Sequence, residues 1–257
     1  MRDLKVSLVQ SELQWEAPAD NRAHFEQLLR AHPTATDLFL LPEMFTTGFS
    51  MNALANAEPI DGDTYCWMQT LATELDTAIA GSVAIRVGDA VYNRLLFATP
   101  GGITHYDKRH LFRMAGEHER YAGGSERVVV NWREWRIKLE VCYDLRFPVF
   151  SRNQGDYDLL LYVANWPASR SHHWRALLPA RAIENLACVV GVNRIGADAK
   201  GWQYSGDSLA IGADGDMLLD MQSRSGIEDI TFSADVLKAW REQFPAHLDA
   251  DSFTLDW

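Results

Sequence analysis

Strand-like and helix-like segments alternate along the whole chain, and no linker, repeat or low-complexity stretch interrupts them. The strand-like runs at 4–10, 38–41, 158–164 and 187–192 carry mostly apolar residues, which is typical of strands buried inside a sheet. Other runs are paired across tight turns, 78–87 with 90–99 and 128–132 with 135–142, and this arrangement predicts hairpins. Buried strands mixed with hairpins predict an α/β fold with two sheets and with helices on their outer faces.

Five segments have helical character, at about 20–32, 64–76, 148–154, 174–185 and 234–244. We expect Asp20 to cap the first helix, because aspartate is a preferred N-cap residue. In the second helix, Trp67, Leu71 and Leu75 recur at helical spacing, so they predict one apolar face.

The length and composition fit one domain that spans residues 1–257. The chain has 257 residues, of which 47% are hydrophobic, and this is enough for a sizeable core. No apolar run reaches the roughly 20 residues that a membrane-spanning helix needs. The N-terminus enters a strand-like run almost at once, which leaves no room for a secretory signal. These features predict a cytoplasmic protein without a membrane partner.

The charge and the cysteines argue against several other classes of protein. The net charge of −11 and the scattered basic residues indicate that nucleic acid is not a partner. The cysteines, Cys66, Cys142 and Cys188, are odd in number and widely spaced, which argues against a disulfide framework. No CxxC or HExxH pattern is present, so we expect no structural zinc site. We expect Cys66 and Cys188 to be packed in the interior.

Three strand-like runs end in residues of complementary chemistry. Cys142 follows an apolar run, and a thiol at the C-terminal end of a strand is well placed to be a nucleophile. Glu43 follows the run at 38–41 in apolar company, where desolvation makes a carboxylate a better proton acceptor. Lys108 follows the run at 103–107, where an ammonium could stabilise an oxyanion. Together they could form a base, an oxyanion stabiliser and a nucleophile.

Each of these residues also has a simpler interpretation. Glu43 could be a helix cap or one half of an ion pair. Lys108 and Arg109 could belong to a solvated basic loop, and Cys142 could be a packed cysteine. The residues taken singly do not decide between these alternatives.

Taken together, the motifs resemble the nitrilase superfamily of carbon-nitrogen hydrolases. The matching segments are LPEMFTTGF at 41–49, DKRHLF at 107–112, VCYDLRFP at 141–148, ANWP at 164–167 and HWRALLPARAIEN at 173–185. The resemblance covers essentially the whole chain and implies one four-layer α-β-β-α sandwich domain. It also implies a catalytic triad of Glu43, Lys108 and Cys142, with no metal and no cofactor.

The resemblance implies a second glutamate near the site and a branch of the superfamily. Glu117 fits the second glutamate best, and Glu119 is the alternative. The segments EMFTTGFSM, KRHLFRMAGEH and CYDLRFPVFSRN are most similar to those of the omega-amidase branch. Enzymes of that branch hydrolyse the terminal amide of 2-oxoglutaramate or 2-oxosuccinamate. The alternatives are another amide hydrolase of the superfamily, such as a carbamoylase or a deaminated-glutathione amidase, and a non-catalytic interaction protein on the same fold.

The expected reaction assigns further residues to the pocket. The backbone N–H of Tyr143 is expected to face the developing oxyanion. Arg146 lies about one helical turn after Cys142, and its guanidinium suits the substrate carboxylate. Alternatively, Arg146 pairs with an acid such as Asp144 and holds the turn.

Three further expectations concern the surroundings of the pocket. Arg113 and Arg170 are alternative ligands of the substrate carboxylate, and Trp166 is either a wall of the pocket or part of the core. The resemblance implies a homodimer of two sandwiches. The C-terminal residues 253–257 are apolar for a free tail, so we expect them to dock onto a protein surface.

Overall fold

The computed structural model describes residues 1–255, which form fourteen strands and six α-helices. The strands are β1 (Leu4–Gln10), β2 (Leu38–Leu40), β3 (Ala78–Val87), β4 (Ala90–Thr99), β5 (Gly102–Asp107), β6 (Val129–Trp132), β7 (Trp135–Val141), β8 (Leu159–Ala164), β9 (Cys188–Asn193), β10 (Ile195–Ala197), β11 (Gln203–Ser205), β12 (Leu209–Ile211), β13 (Met217–Asp220) and β14 (Gly226–Phe232). The helices are α1 (Pro18–Ala31), α2 (Ala53–Asn56), α3 (Asp63–Glu74), α4 (Pro148–Ser151), α5 (Ser171–Asn185) and α6 (Ala234–Gln243).

The strands form two mixed six-stranded sheets. Their orders are β14-β1-β2-β3-β4-β5 and β13-β12-β9-β8-β7-β6, while β10 and β11 form a small separate hairpin. In each sheet the central strands are parallel, β1 to β2 to β3 and β7 to β8 to β9, and antiparallel strands lie on both sides. Parallel strands that are covered on both faces read as continuous apolar runs, which is the pattern that the sequence carries.

Alternate residues of the strands divide the core into layers. Leu38 and Leu40 of β2 belong to the largest core cluster, which contains side chains of both sheets. Phe39, between them, packs in a second cluster with Phe25 and Leu29 of α1. On the far side of the second sheet, α5 lies so close to β9 that a Cβ at Gly191 would stand 2.6 Å from Trp174. The layers are therefore helix, sheet, sheet and helix.

Most of the predicted elements lie where the sequence indicated. β1, β3 and β4 have the predicted bounds, and β3 and β4 are joined by a turn in which Gly88 has φ = +59°. The prediction that Asp20 caps the first helix is wrong. α1 begins at Pro18, a residue that suits the first helical position, so Asp20 lies inside the first turn. The β10–β11 hairpin was not predicted.

The described part of the C-terminal segment docks onto its own chain. Leu255 packs against the main core, while Asp256 and Trp257 of the predicted docking segment lie outside the described residues. Among residues 1–255, no helix is long and apolar enough to cross a membrane.

Candidate active site

The residues predicted at the three strand ends meet in one cavity. Glu43 follows β2, Lys108 directly follows β5, and Cys142 directly follows β7. All three line a cavity of about 250 Å³. Glu43 and Lys108 are almost completely buried, and Cys142 is 8% exposed, so the thiol lies at the floor of the cavity.

Lys108 holds two carboxylates at the centre of the site. Its Nζ donates to Glu43 Oε1 at 2.9 Å and to both carboxylate oxygens of Glu117 at 3.0 Å. Burial lowers the pKa of Lys108, but Glu117 and Glu43 outweigh that effect and raise it above the usual value. Lys108 is therefore an ammonium ion, in a position to stabilise negative charge that develops in the cavity.

The structure separates the two candidates for the second glutamate. Glu117 is fully buried, and its Oε2 also accepts a hydrogen bond from the Phe112 backbone N–H at 2.6 Å. Glu119 is exposed on the surface and lies 3.9 Å from His118. Only Glu117 therefore contacts the cluster around Lys108.

Two buried asparagines complete this cluster, and both were missed in the sequence. Asn93 Nδ2 donates to Glu43 Oε1 at 2.8 Å and to Glu117 Oε1 at 3.2 Å. The Asn165 backbone N–H donates to Glu43 Oε2 at 2.8 Å, and its side-chain amide donates to the Glu43 carbonyl. The available signal was an asparagine inside the apolar run of β4, because a buried amide requires polar partners.

Cys142 stands on a strained turn and is protonated at rest. Its φ is +45°, in the left-handed region that is costly for a residue with a side chain, and a 3₁₀ helix (Cys142–Arg146) starts there. Burial and the negative charge of Glu43 raise the pKa of the thiol well above its ordinary value, although Lys108 and the Asn165 N–H act in the opposite direction. The Glu43 carboxylate lies beside the thiol in the cavity and is therefore placed to accept its proton.

Asp144 ties this turn to the segment that carries Lys108. Its carboxylate accepts hydrogen bonds from the Val141 N–H, from the Tyr106 hydroxyl and from the His110 N–H, at 2.8–2.9 Å. His110 Nδ1 lies a further 2.7 Å from the same carboxylate. Asp144 therefore contributes to the relative positions of the nucleophile and the ammonium.

Arg146 does not pair with Asp144, so the alternative that it holds the turn in this way is wrong. It lines the cavity, with its guanidinium 4.6 Å above the Trp166 ring and its Nη2 3.0 Å from His173 Nδ1. Arg170 also lines the cavity, and its buried Nη2 has no hydrogen-bond partner in the described part of the chain. Arg113 is exposed and does not line it. Within residues 1–255, neither Arg146 nor Arg170 is in a salt bridge.

Several of the remaining lining residues are aromatic. Trp166 is 3% exposed, lines the cavity and also packs on Trp174, so its two predicted roles coexist. Tyr143 lines the cavity beside the thiol. The β10–β11 hairpin contributes Trp202 and Tyr204 to the opposite wall.

The other two cysteines lie outside this site. Cys188 is buried in β9, as predicted. The prediction that Cys66 is packed in the interior is wrong, because it is exposed on α3. Within the described chain, no three His, Cys, Asp or Glu side chains are grouped so that they could hold a metal ion.

Comparison with known proteins identifies the class. The model of the carbon-nitrogen hydrolase family matches residues 5–242. The chain is 50% identical to the omega-amidase YafV of Yersinia enterocolitica, over 99% of this chain and 100% of the relative. It is 32% identical to the 2-oxoglutaramate amidase of Bacillus subtilis (strain 168), over 95% of this chain and 96% of that relative.

A solved structure extends the likeness to the fold. A CN-hydrolase superfamily protein of Xanthomonas campestris, with an arsenic adduct in its active site, has a TM-score of 0.97 and 49% identity over the whole of both chains. The chain therefore belongs to the carbon-nitrogen hydrolase family. The predicted α-β-β-α sandwich of the nitrilase type is confirmed.

Proposed function

We propose that this enzyme is an omega-amidase, which hydrolyses the terminal amide of a short 2-oxo acid such as 2-oxoglutaramate or 2-oxosuccinamate. The observation that carries the proposal is the cavity itself. It has a thiol, a carboxylate and an ammonium at its floor, and its walls contain two arginines that form no salt bridge within residues 1–255. Relatives named for omega-amidase and 2-oxoglutaramate amidase activity support the same substrate class.

In the proposed mechanism, Glu43 accepts the thiol proton as Cys142 attacks the amide carbon. Lys108 Nζ and the Tyr143 backbone N–H stabilise the negative charge on the amide oxygen. The C–N bond breaks, and ammonia leaves with the proton that Glu43 received, so that a thioester remains on Cys142. Glu43 then removes a proton from water, whose oxygen attacks the thioester carbon, and the C–S bond breaks. Glu43 returns the proton to the sulfur, so that the 2-oxo acid leaves and the thiol is restored.

Glu117 has a supporting role in this proposal. It shares Lys108 with Glu43 and is held by the Phe112 N–H, so it keeps the ammonium fixed at the floor of the cavity. The reaction needs neither a metal nor a cofactor, because the thiol supplies the covalent chemistry.

The substrate carboxylate is assigned to Arg146, with Arg170 beside it. Burial, and then the nearby charge of Arg170, lower the pKa of Arg146, so an anion beside both guanidinium groups would be favoured. The Nη2 of Arg146 lies against His173, whose pKa is lowered through desolvation and through His172 and Arg146, so that His173 accepts a hydrogen bond as a neutral ring. The carboxylate of a 2-oxo acid would supply such an anion.

An ammonia-release assay tests the substrate class. We expect kcat/KM to be highest for 2-oxoglutaramate and 2-oxosuccinamate, and lower for butyramide, which lacks the carboxylate. An N-carbamoyl amino acid tests the carbamoylase alternative, and deaminated glutathione tests the other amidase alternative. A higher kcat/KM for either of these two substrates would overturn the proposal.

We also propose that the enzyme is a homodimer. Val149 of α4 and Ile183 of α5 are each more than half exposed, and the two helices are joined where Arg152 donates to the Glu184 carbonyl. A second copy that covers this face would bury both side chains. Light scattering should give the dimer mass at micromolar concentration, and Ile183→Glu should give the monomer mass. A monomeric unaltered protein would refute the dimer.

The proposed place of action is the cytoplasm. The thiol of Cys66 is free and exposed, and Cys142 must stay reduced to act, which suits a reducing compartment. Fractionation of cells that produce the protein would test this.

A further inference from the structure

Asn93 and Lys108 bridge the same two carboxylate oxygens. Asn93 lies on β4, is 1% exposed, and donates through Nδ2 to Glu43 Oε1 and Glu117 Oε1. Lys108 Nζ donates to the same two atoms. One neutral amide and one ammonium therefore join two carboxylates that would otherwise repel each other in a buried site.

The orientation of the Asn93 amide follows from its surroundings. The flipped amide would place Oδ1 against two carboxylate oxygens, so the nitrogen must face them. Among residues 1–255, the buried Oδ1 consequently has no hydrogen-bond partner. Most buried polar atoms are hydrogen-bonded, and exceptions point to a constraint elsewhere. The Asn93 carbonyl also accepts the Lys108 backbone N–H at 3.0 Å, so the residue positions Lys108 as well.

The two buried carboxylates repel each other, and the pKa of Glu117 reflects this repulsion. Burial raises the pKa of Glu117, Lys108 lowers it, and the nearby charge of Glu43 raises it again. When two carboxylates lie this close, loss of a shared donor is relieved most readily by one proton that serves both. A protonated Glu43 could not accept the proton of Cys142.

We propose that Asn93 is a positioning residue that keeps both Glu43 and Glu117 ionised, so that Glu43 remains a base at neutral pH. This inference rests on the proposed function, in which Glu43 receives the thiol proton. Under this proposal, Asn93 of β4 influences the pH range over which the enzyme is active. It does so through its hydrogen bonds to the two carboxylates, without contact with the substrate.

The groups that face the two carboxylates do not titrate in their place. They are Lys108, Cys142, Tyr121 and Tyr204. Burial raises the pKa of both tyrosines and of the thiol, and Lys108 stays charged. None of these four groups therefore accounts for a change in the acid limb of the activity.

Two variants of Asn93 test the proposal, and the pH dependence is the readout. Asn93→Leu removes the donor at similar volume, and Asn93→Asp adds a third carboxylate at nearly the same shape. The acid limb of kcat/KM should move to higher pH by about one to two units in Asn93→Leu, the size expected for one hydrogen bond to a charged group. The shift should be larger in Asn93→Asp. Lower activity with an unmoved inflection would overturn the proposal.

A second measurement needs no substrate. The rate at which iodoacetamide alkylates Cys142 should fall with the same acid inflection, and both variants should move that inflection upward. If Asn93→Leu does not fold, Asn93→Asp decides alone, and an unshifted alkylation profile in it refutes the inference. A shifted alkylation profile in a protein that releases no ammonia from omega-amides would refute the proposed function and leave the role of Asn93 standing.

Asn185→Leu is the matched control. Asn185 is a buried asparagine of α5 whose side chain bonds to the Asn153 N–H and the Arg181 carbonyl, remote from the carboxylates. It should lower the thermal stability without moving either pH inflection. A shift of similar size in this control would show that loss of any buried amide moves the profile, and would overturn the assignment to Asn93.

Discussion

Within residues 1–255, two buried lysines pair with buried glutamates, and the two pairings differ in what surrounds them. Lys108 pairs with Glu43 and Glu117 at the floor of a cavity. Lys138 pairs with Glu140 inside the fold, and neither residue lines the cavity. Both members of the second pair are fully buried, although they lie only a few residues before Cys142 on β7.

The difference lies in the number of carboxylates. Burial lowers the pKa of both lysines, and the single Glu140 leaves the pKa of Lys138 below its ordinary value, whereas two carboxylates raise that of Lys108. Lys138 also donates to the Phe150 carbonyl at 2.6 Å, so its charge is used to hold α4. A buried ion pair alone therefore does not mark an active site. The active site is marked by a lysine that has two carboxylate partners and that borders a cavity.

The largest effect should come from Cys142, which lies in the cavity beside Lys108 and Glu43. Cys142→Ala should lower turnover by a factor on the order of 10⁴–10⁶, because it removes the proposed nucleophile. Cys188→Ala, which alters a buried thiol outside the cavity, should keep most activity. Ammonia release per folded molecule is the measurement. A Cys142 variant that turns over at the unaltered rate would refute the thioester mechanism.

The two glutamates provide the most direct test of the comparison. Glu43→Gln should lower kcat by about 10²–10⁴-fold, since an amide cannot accept the thiol proton. Glu140→Gln should reduce stability while most turnover per folded molecule is kept. Single-turnover kinetics and thermal unfolding of both variants give the two quantities. Equal losses of turnover would mean that the two pairs are not functionally distinct.

The residues at the strand ends could be predicted, because each follows a strand-like run that can be recognised without distant information. The exposure of Cys66 could not be predicted from its neighbours. The buried face of α3 is formed by Thr64, Met68, Leu71 and Ala72, and Cys66 lies off that face. Its position depends on the rotation of the helix against the sheet, which a short pattern does not determine.

Asn93 was missed for a related reason. Its partners Glu43 and Glu117 are 50 and 24 residues away along the chain, so a single amide inside an apolar strand gives no local sign of its role. The β10–β11 hairpin has strands of three residues and a turn at Gly201, which resemble a loop in the sequence. Both features depend on tertiary contacts and not on periodicity.

A smaller effect should show whether Arg146, in the wall of the cavity next to Lys108, binds the substrate carboxylate. Arg146→Lys keeps the charge but loses the planar fork, so kcat/KM on 2-oxoglutaramate should fall on the order of 10-fold. On butyramide, which has no carboxylate, the loss should be slight. Arg113→Lys, on the surface outside the cavity, is the matched control and should change neither. Equal losses on both substrates would make Arg146 a scaffold residue, and Arg170 would then be the next candidate.

The smallest effect on turnover should come from Lys138 and Glu140, the closed pair, which does not border the cavity. Lys138→Met leaves Glu140 buried without its cation, which should lower the free energy of unfolding by about 3–5 kcal/mol. Lys138→Met combined with Glu140→Gln removes both charges, and such replacements are often nearly neutral, so most of the loss should be recovered. Urea denaturation measures the stability, and ammonia release per folded molecule should stay close to that of the unaltered protein in the double variant. A double variant that is stable but inactive would show that the closed pair also sets the geometry of the Cys142 turn, and the contrast between the two pairs would no longer hold.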